Sequence, residues 1–329
     1  MFDMRRRKFI ALIGSAAAML APLPLSAQSS SKVWRIGVLE TTSVALNAPN
    51  FDAFRQSLRD LGYVEGQNLI IEYRSAQGRG ERFAELTADL LRLGVDVIVI
   101  RGTPAVVAAK KATTTIPIVM AAMGEPLMVV ASLAHPGGNI TGLSGYTTDL
   151  EAKRVEVIKE LVPAAVRIAG LYNLGNPVVS SVWNQLQTAA RKLGIEPQLL
   201  DIRKAEDIAP AFDAATAQHA GALIVGIDAL TQENRTVIVQ LAADHRLPTI
   251  YVSREYIDAG GLIAYGPRYP GLYRRAAVYV DKILRGANPS NLPVEQPTKF
   301  ELIINLKAAW AIGIQVPTTL LIRADEVIE

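Results

Sequence analysis

The chain of 329 residues is 50% hydrophobic and 20% charged, with a formal net charge of +3. Arg5, Arg6, Arg7 and Lys8, set against Asp3, carry that excess, so residues 28–329 are close to neutral and offer no basic field for nucleic acid or an anionic membrane. The absence of cysteine excludes a disulfide framework, thiolate chemistry and a lipid-modified cysteine.

In chain order, residues 1–27 read as an export leader: the basic cluster precedes Phe9 and Ile10, and a weakly apolar Ala/Gly/Ser run ends at Leu25-Ser26-Ala27. Arg6 and Arg7 followed by x-Phe9-Ile10 resemble a twin-arginine signal, with cleavage expected near Ala27. Pro22, Pro24 and the short apolar run argue against a spanning helix. The remaining ~300 residues suit two cores better than one.

Trp34 to Leu39 reads as a strand, and Phe51, Phe54, Leu58 and Leu61 mark one helical face closed by Gly62. Leu69 to Tyr73 is the next strand, and Phe83, Leu86, Leu90 and Leu93 mark a helix closed by Gly94. Val97 to Ile100 is an unbroken apolar run, the pattern of a strand buried on both faces of a parallel sheet. Arg101-Gly102-Thr103-Pro104 turns it into a helix ending at Ala112, with Thr103 suited to the N-cap and Pro104 to the first helical position. Strands at Ile118–Met120 and Ile140–Leu143 follow.

After Gly145 the pattern restarts, with a helix at 149–161, a strand at 167–172, a helical stripe of Trp183, Leu186, Ala190 and Leu193, and strands at 196–200 and 222–225. A helix over 229–245, strands at 249–252 and 262–265, a long helix over 269–285, a strand at 300–305 and a short helix at 306–312 complete the reading. Alternating strands and helices predict α/β lobes with doubly wound parallel sheets, and two such lobes facing each other make a cleft.

Gly102-Thr103-Pro104-Ala105, Ile116-Pro117-Ile118-Val119, Gly124-Glu125-Pro126, Ala131-Ser132-Leu133-Ala134, Pro136-Gly137-Gly138-Asn139-Ile140-Thr141-Gly142 and the tail Leu321 to Glu329 resemble the ABC-transporter substrate-binding protein family that includes tryptophan- and phenylalanine-binding members. The likeness runs from about Arg35 to Glu329. It implies the periplasmic-binding-protein type I fold: 33–145 plus about 267–292 as one lobe, 146–266 plus about 293–329 as the other, joined by a multi-strand hinge. It also implies a small-molecule ligand and an ABC permease as partners.

Open parallel sheets bind ligands beyond the carboxyl ends of their strands. That rule selects Glu40, Thr41, Arg101, Gly102, Thr103, Pro104, Met123, Gly124, Glu125, Tyr172, Asn173, Asp228 and Tyr265. For an amino-acid ligand, Thr103 with nearby backbone N–H groups, or Arg101, can take the carboxylate; Glu40, Glu125 or Asp228 can take the ammonium; Met123, Tyr172 and Tyr265 can pack on the side chain. Family members usually carry a small residue at Arg101, Asp at Glu125 and a longer glycine-containing loop at 127–130. Arg101 therefore has two open readings, a carboxylate fork or an ion pair with Glu125.

Enzymatic motifs are missing from the sequence. His135, His219 and His245 lack metal-ligand spacing, and neither Gly-x-Ser-x-Gly, a P-loop nor a dinucleotide fingerprint occurs. No cofactor is expected. The sequence favours a solute receptor of an ABC importer over a periplasmic sensor, which shares these features, or an α/β hydrolase, which needs a nucleophile and base meeting in the cleft.

Overall fold

The computed structural model describes residues 32–145, 150–176 and 178–329; the expected leader and cleavage site lie outside the described residues. The first half runs β1 (Trp34–Glu40), α1 (Val44–Asp60), β2 (Leu69–Ser75), α2 (Phe83–Arg92), β3 (Val97–Arg101), α3 (Thr103–Ala112), β4 (Ile118–Met123) and β5 (Ile140–Ser144). The second runs α4 (Leu150–Leu161), β6 (Arg167–Tyr172), α5 (Val179–Lys192), β7 (Glu196–Asp201), α6 (Ile208–Ala217), β8 (Ala222–Val225), α7 (Ala229–Glu233), α8 (Arg235–Asp244), β9 (Thr249–Tyr251), α9 (Arg254–Asp258) and β10 (Ile263–Pro267). Then come α10 (Tyr269–Leu284), β11 (Phe300–Asn305), α11 (Leu306–Ala311), α12 (Thr318–Arg323) and β12 (Glu326–Ile328).

The first sheet has the order β2-β1-β3-β4-β5 and is parallel throughout. The second repeats that order as β7-β6-β8-β9-β10, then adds β11 antiparallel to β10 and β12 parallel to β11. Both sheets are thus doubly wound, with the switch in winding direction between β1 and β3 in one and β6 and β8 in the other. The chain passes between the sheets three times: after Gly145, after Pro267, and between Leu284 and Phe300.

Side-chain alternation explains the layers. Val97, Val99 and Val119 face a core shared with α1 and α10, whereas Ile98, Ile100, Ile118 and Met120 face the core under α2 and α3. The second sheet divides the same way: Ile168, Ala222 and Ile224 face α4 and α5, and Ala169, Leu223 and Val225 face α6 and α8. α10 follows β10 in the chain yet packs on the first sheet, with Tyr273, Ala276, Ala277 and Val280 buried.

Two expectations need correction. The helix expected over 229–245 is broken at Asn234, whose φ of −95° and ψ of 15° leave the helical region while its Nδ2 donates to the Leu230 carbonyl at 2.9 Å. The elements α6, α9, α12 and β12 are not among the sequence expectations; α6 has ten residues, whereas α9 and α12 have five and six, too few to show a helical period.

Gly142 on β5 has φ of +126°, and a Cβ there would overlap the Met120 backbone of β4. Gly142→Ala is expected to cost roughly 3 kcal/mol, from strain and displaced pairing together. Calorimetric melting tests this; an unchanged melting temperature would show that β5 tolerates a side chain there.

Candidate ligand-binding cleft

The two switch points face each other across the gap between the sheets. On the first side, Gly102 occupies the cap position of α3 at φ +93°, and a Cβ there would press on the Thr41 methyl. Thr103 is therefore the first helical residue, not the N-cap, and its Oγ1 accepts from Gly124 N–H at 3.1 Å instead of from its own helix. This corrects the expected capping role. With no side chain capping α3, its first turn directs the positive end of the helix dipole at the gap.

On the second side, Asp228 caps α7: Oδ1 accepts from Leu230 N–H at 3.0 Å and Asn173 Nδ2 at 2.9 Å, and Oδ2 accepts from Asn176 Nδ2 at 2.9 Å. Arg154 reaches the gap from α4, held by an ion pair with Glu151 and by donation from Nε to the Tyr265 carbonyl at 3.0 Å. The Tyr172 hydroxyl donates to Glu151 Oε2 at 3.0 Å. Arg154 Nη2 makes no hydrogen bond among the described residues.

Between these groups lies a cavity with about 60 Å³ of space for the centres of water-sized molecules. Thr41, Arg101, Gly102, Thr103, Pro104, Met123, Gly124 and Asp228 of the sequence-selected set line it. Sequence reasoning missed Phe83, Arg154, Asn176, Val178, Ile227, Gln232 and Tyr269, which line it too. Its walls are mainly apolar.

The other selected residues lie elsewhere. Asn173 sits behind Asp228, bonded to it. Glu125 and Tyr172 border a smaller hollow with about 20 Å³ of space for the centres of water-sized molecules. The Tyr265 ring packs at 6.0 Å from Phe300 in the second core, so its carbonyl, not its ring, serves the cleft by holding Arg154. Glu40 is fully buried, with the Tyr273 hydroxyl donating to its Oε1 and Oε2 unpartnered among the described residues.

Arg101 pairs across the cleft. Its Nη1 and Nη2 donate to Oε1 and Oε2 of Glu255 on α9 at 3.2 and 3.3 Å, and its guanidinium lies 4.2 Å from the centre of the Tyr269 ring. The expected alternative partner, Glu125, is replaced by a residue the sequence reading did not single out. Asn50 Nδ2 donates to the same Glu255 at 2.6 Å, Ser43 N–H to Glu233 at 3.1 Å, and Arg235 Nη2 to the Leu46 carbonyl at 3.0 Å. These contacts hold the two halves shut.

Burial pushes the Glu40 carboxyl up to about 7, against the opposing pull of Arg101 and the Tyr273 hydroxyl. Glu255 is held below the usual carboxylate range, because Arg101, Ser253 and Asn50 outweigh its burial. Since folding raises the Glu40 pKa, its contribution to stability is fully present below pH 4.5 and is lost as pH rises through about 7. The expected loss across that window is on the order of 3 kcal/mol. Urea melts between pH 5 and 8 test this: the wild type declines, and Glu40→Gln flattens the profile. An equal decline in both would place the titration elsewhere.

The comparisons with known proteins agree with this geometry. The model of the ABC transporter substrate binding protein family matches residues 36–328. A tyrosine-binding protein of Clostridioides difficile (strain R20291) is 27% identical over 292 residues, covering 87% of this chain and 83% of that protein. A conserved domain protein from Vibrio cholerae superposes with a TM-score of 0.84 at 29% identity, covering 90% of this chain and 100% of the other. An ABC domain from Streptococcus pneumonia in complex with L-Trp gives 0.82 at 26% identity, covering 90% and 99%. With its repeated doubly wound sheets and the cavity between them, the chain belongs to the ABC transporter substrate-binding protein family and has the type I periplasmic-binding-protein fold.

Proposed function

We propose that this protein is the periplasmic solute receptor of an ABC importer, enclosing an amino acid or closely related carboxylate and presenting it to a membrane permease. The observation that carries this reading is the division of charge around an apolar cavity: Arg154 Nη2 and the start of α3 on one part of the wall, Asp228 on another. An α-carboxylate suits the first and an α-ammonium the second, while Phe83, Met123, Val178, Ile227 and Tyr269 accommodate an apolar side chain. Relatives described as tyrosine-binding and as complexed with L-Trp support an aromatic member of that class.

Arg101 has a different part from the expected fork. Its hydrogen bonds to Glu255 and Asn47 commit the guanidinium to closure, so it lines the cavity with a charge that is already paired and does not grip the ligand itself. Glu151 and Tyr172 act on the ligand through Arg154. Export rests on the Arg6-Arg7 leader, and neither catalysis nor a cofactor enters this reading. Among the described residues, no helix is long and apolar enough to cross a membrane and no acidic or histidine cluster suits a metal.

A thermal-shift screen of amino acids and small organic acids, followed by calorimetry, tests the ligand class, because a ligand bound only by the folded state raises its melting temperature. Asp228→Asn keeps an acceptor for the Leu230 N–H but removes the charge and sets an amide NH2 against the donor of Asn173 or Asn176, so binding of the best amino acid is expected to weaken by roughly 10- to 100-fold, about 1.5–3 kcal/mol, together with a lower melting temperature. A screen in which only uncharged solutes bind would overturn the amino-acid reading.

A further inference from the structure

Gln232 stands on α7 one turn beyond Asp228 and lines the same cavity. It is 2% exposed, and neither its Oε1 nor its Nε2 has a hydrogen-bond partner among the described residues. Its polar neighbours differ. Asp228 is bonded by Asn173, Asn176 and Leu230; Thr231 donates to the Gly226 carbonyl; Glu233 accepts from Ser43 N–H; Asn234 donates to Leu230. On a segment where the fold satisfies the surrounding polar side chains, one buried amide is left over.

Such an amide is costly, and a leucine or methionine would fill the same space without the desolvation penalty. The fold has no use for its donors and acceptor, while the cavity it lines gives them an outlet. A primary amide can donate from Nε2 and accept at Oε1 at once. A ligand group that accepts and donates from one position, a hydroxyl or a carboxamide, is its natural complement.

We propose that Gln232 is a specificity-determining residue that reads a hydroxyl or carboxamide at the end of the ligand's otherwise apolar side chain; this rests on the amino-acid reading above. Asp228 and Arg154 engage the groups common to every amino acid, and Gln232 distinguishes among them. The discrimination comes from the ligand that fails: a hydrocarbon analogue enters the cavity but leaves the amide unpaired in a dry site, a stronger rejection than apolar shape alone provides.

Calorimetry with two matched pairs, L-tyrosine against L-phenylalanine and L-glutamine against L-norleucine, tests this on the wild type and Gln232→Met. The wild type is expected to bind the polar member of at least one pair tenfold or more tightly. Gln232→Met should reduce that ratio to threefold or less. Equal binding within both pairs, or a preference that survives in Gln232→Met, overturns the proposal and leaves the amino-acid reading intact. Absence of binding by all four overturns the proposal, and the amino-acid reading falls with it only if no other amino acid or small carboxylate binds in the thermal-shift screen. Melting of the protein without added ligand gives an independent readout: removal of an unsatisfied amide should raise the melting temperature in Gln232→Met, whereas a fall would show that the amide serves the fold and would overturn the assignment.

Discussion

The guanidinium of Arg101 is where the two halves of the molecule meet. It arises at the carboxyl end of a strand buried on both faces, and it is 3% exposed, so its charge must be answered within the protein. The answer comes from Glu255, 154 residues later and on the other sheet, with Tyr269 beneath the cation. A buried pair of this kind adds little net stability compared with an apolar contact of the same shape, yet removing one partner leaves a bare buried charge at a cost of about 3–5 kcal/mol. Its contribution is geometric. The pair is satisfied in only one relation of the sheets, and that relation sets the width of the cavity.

The cavity inherits its chemistry from the same arrangement. Repetition of the strand order places two switch points opposite each other, so the start of α3 and the cap of α7 approach the cavity from opposite walls. Both are helix beginnings, but they present opposite signs. α3 has no side-chain cap and offers its dipole, whereas α7 is capped by an aspartate whose charge exceeds the partial charge it covers. Arg154 adds a full positive charge near the chain crossings, held in place by Glu151 and the Tyr265 carbonyl. Two equivalent folds thereby produce one polarised site.

Much of this was legible in the residues, and the parts that were not share a cause. Unbroken apolar runs such as Val97 to Ile100 identify buried parallel strands because four β-branched residues closed by the turn at Gly102 are too short a run for a buried helix. The rule that ligands gather at strand carboxyl ends then selects Gly102, Thr103, Gly124 and Asp228 from position alone. Position does not say where a side chain turns: Thr103 crosses to Gly124, and Tyr265 turns its ring into the second core. Arg101 could not be matched to Glu255, since a partner in the other half leaves no spacing to read. Glu151 and Arg154 resemble an ordinary surface pair at i,i+3. Their shared face with Val155 and Ile158 was the available sign that both are buried.

The placement of α10 bears on the order in which the molecule can be made. The face of the first sheet formed by Val97, Val99 and Val119 is covered partly by residues 269–284, which follow the five parallel strands of the second sheet in sequence. A chain emerging from its N-terminus therefore completes five strands and still carries an apolar face that α1 covers only in part until more than a hundred further residues have been added. The first half cannot mature as an autonomous domain ahead of the second; its final layer arrives late and from outside. Contacts of such long sequence separation fold slowly and leave apolar surface open to misassociation in the interval. For this topology, a partner that holds the growing chain open is better suited than early local folding, and the last crossings that shape the cleft are also those that finish the first core.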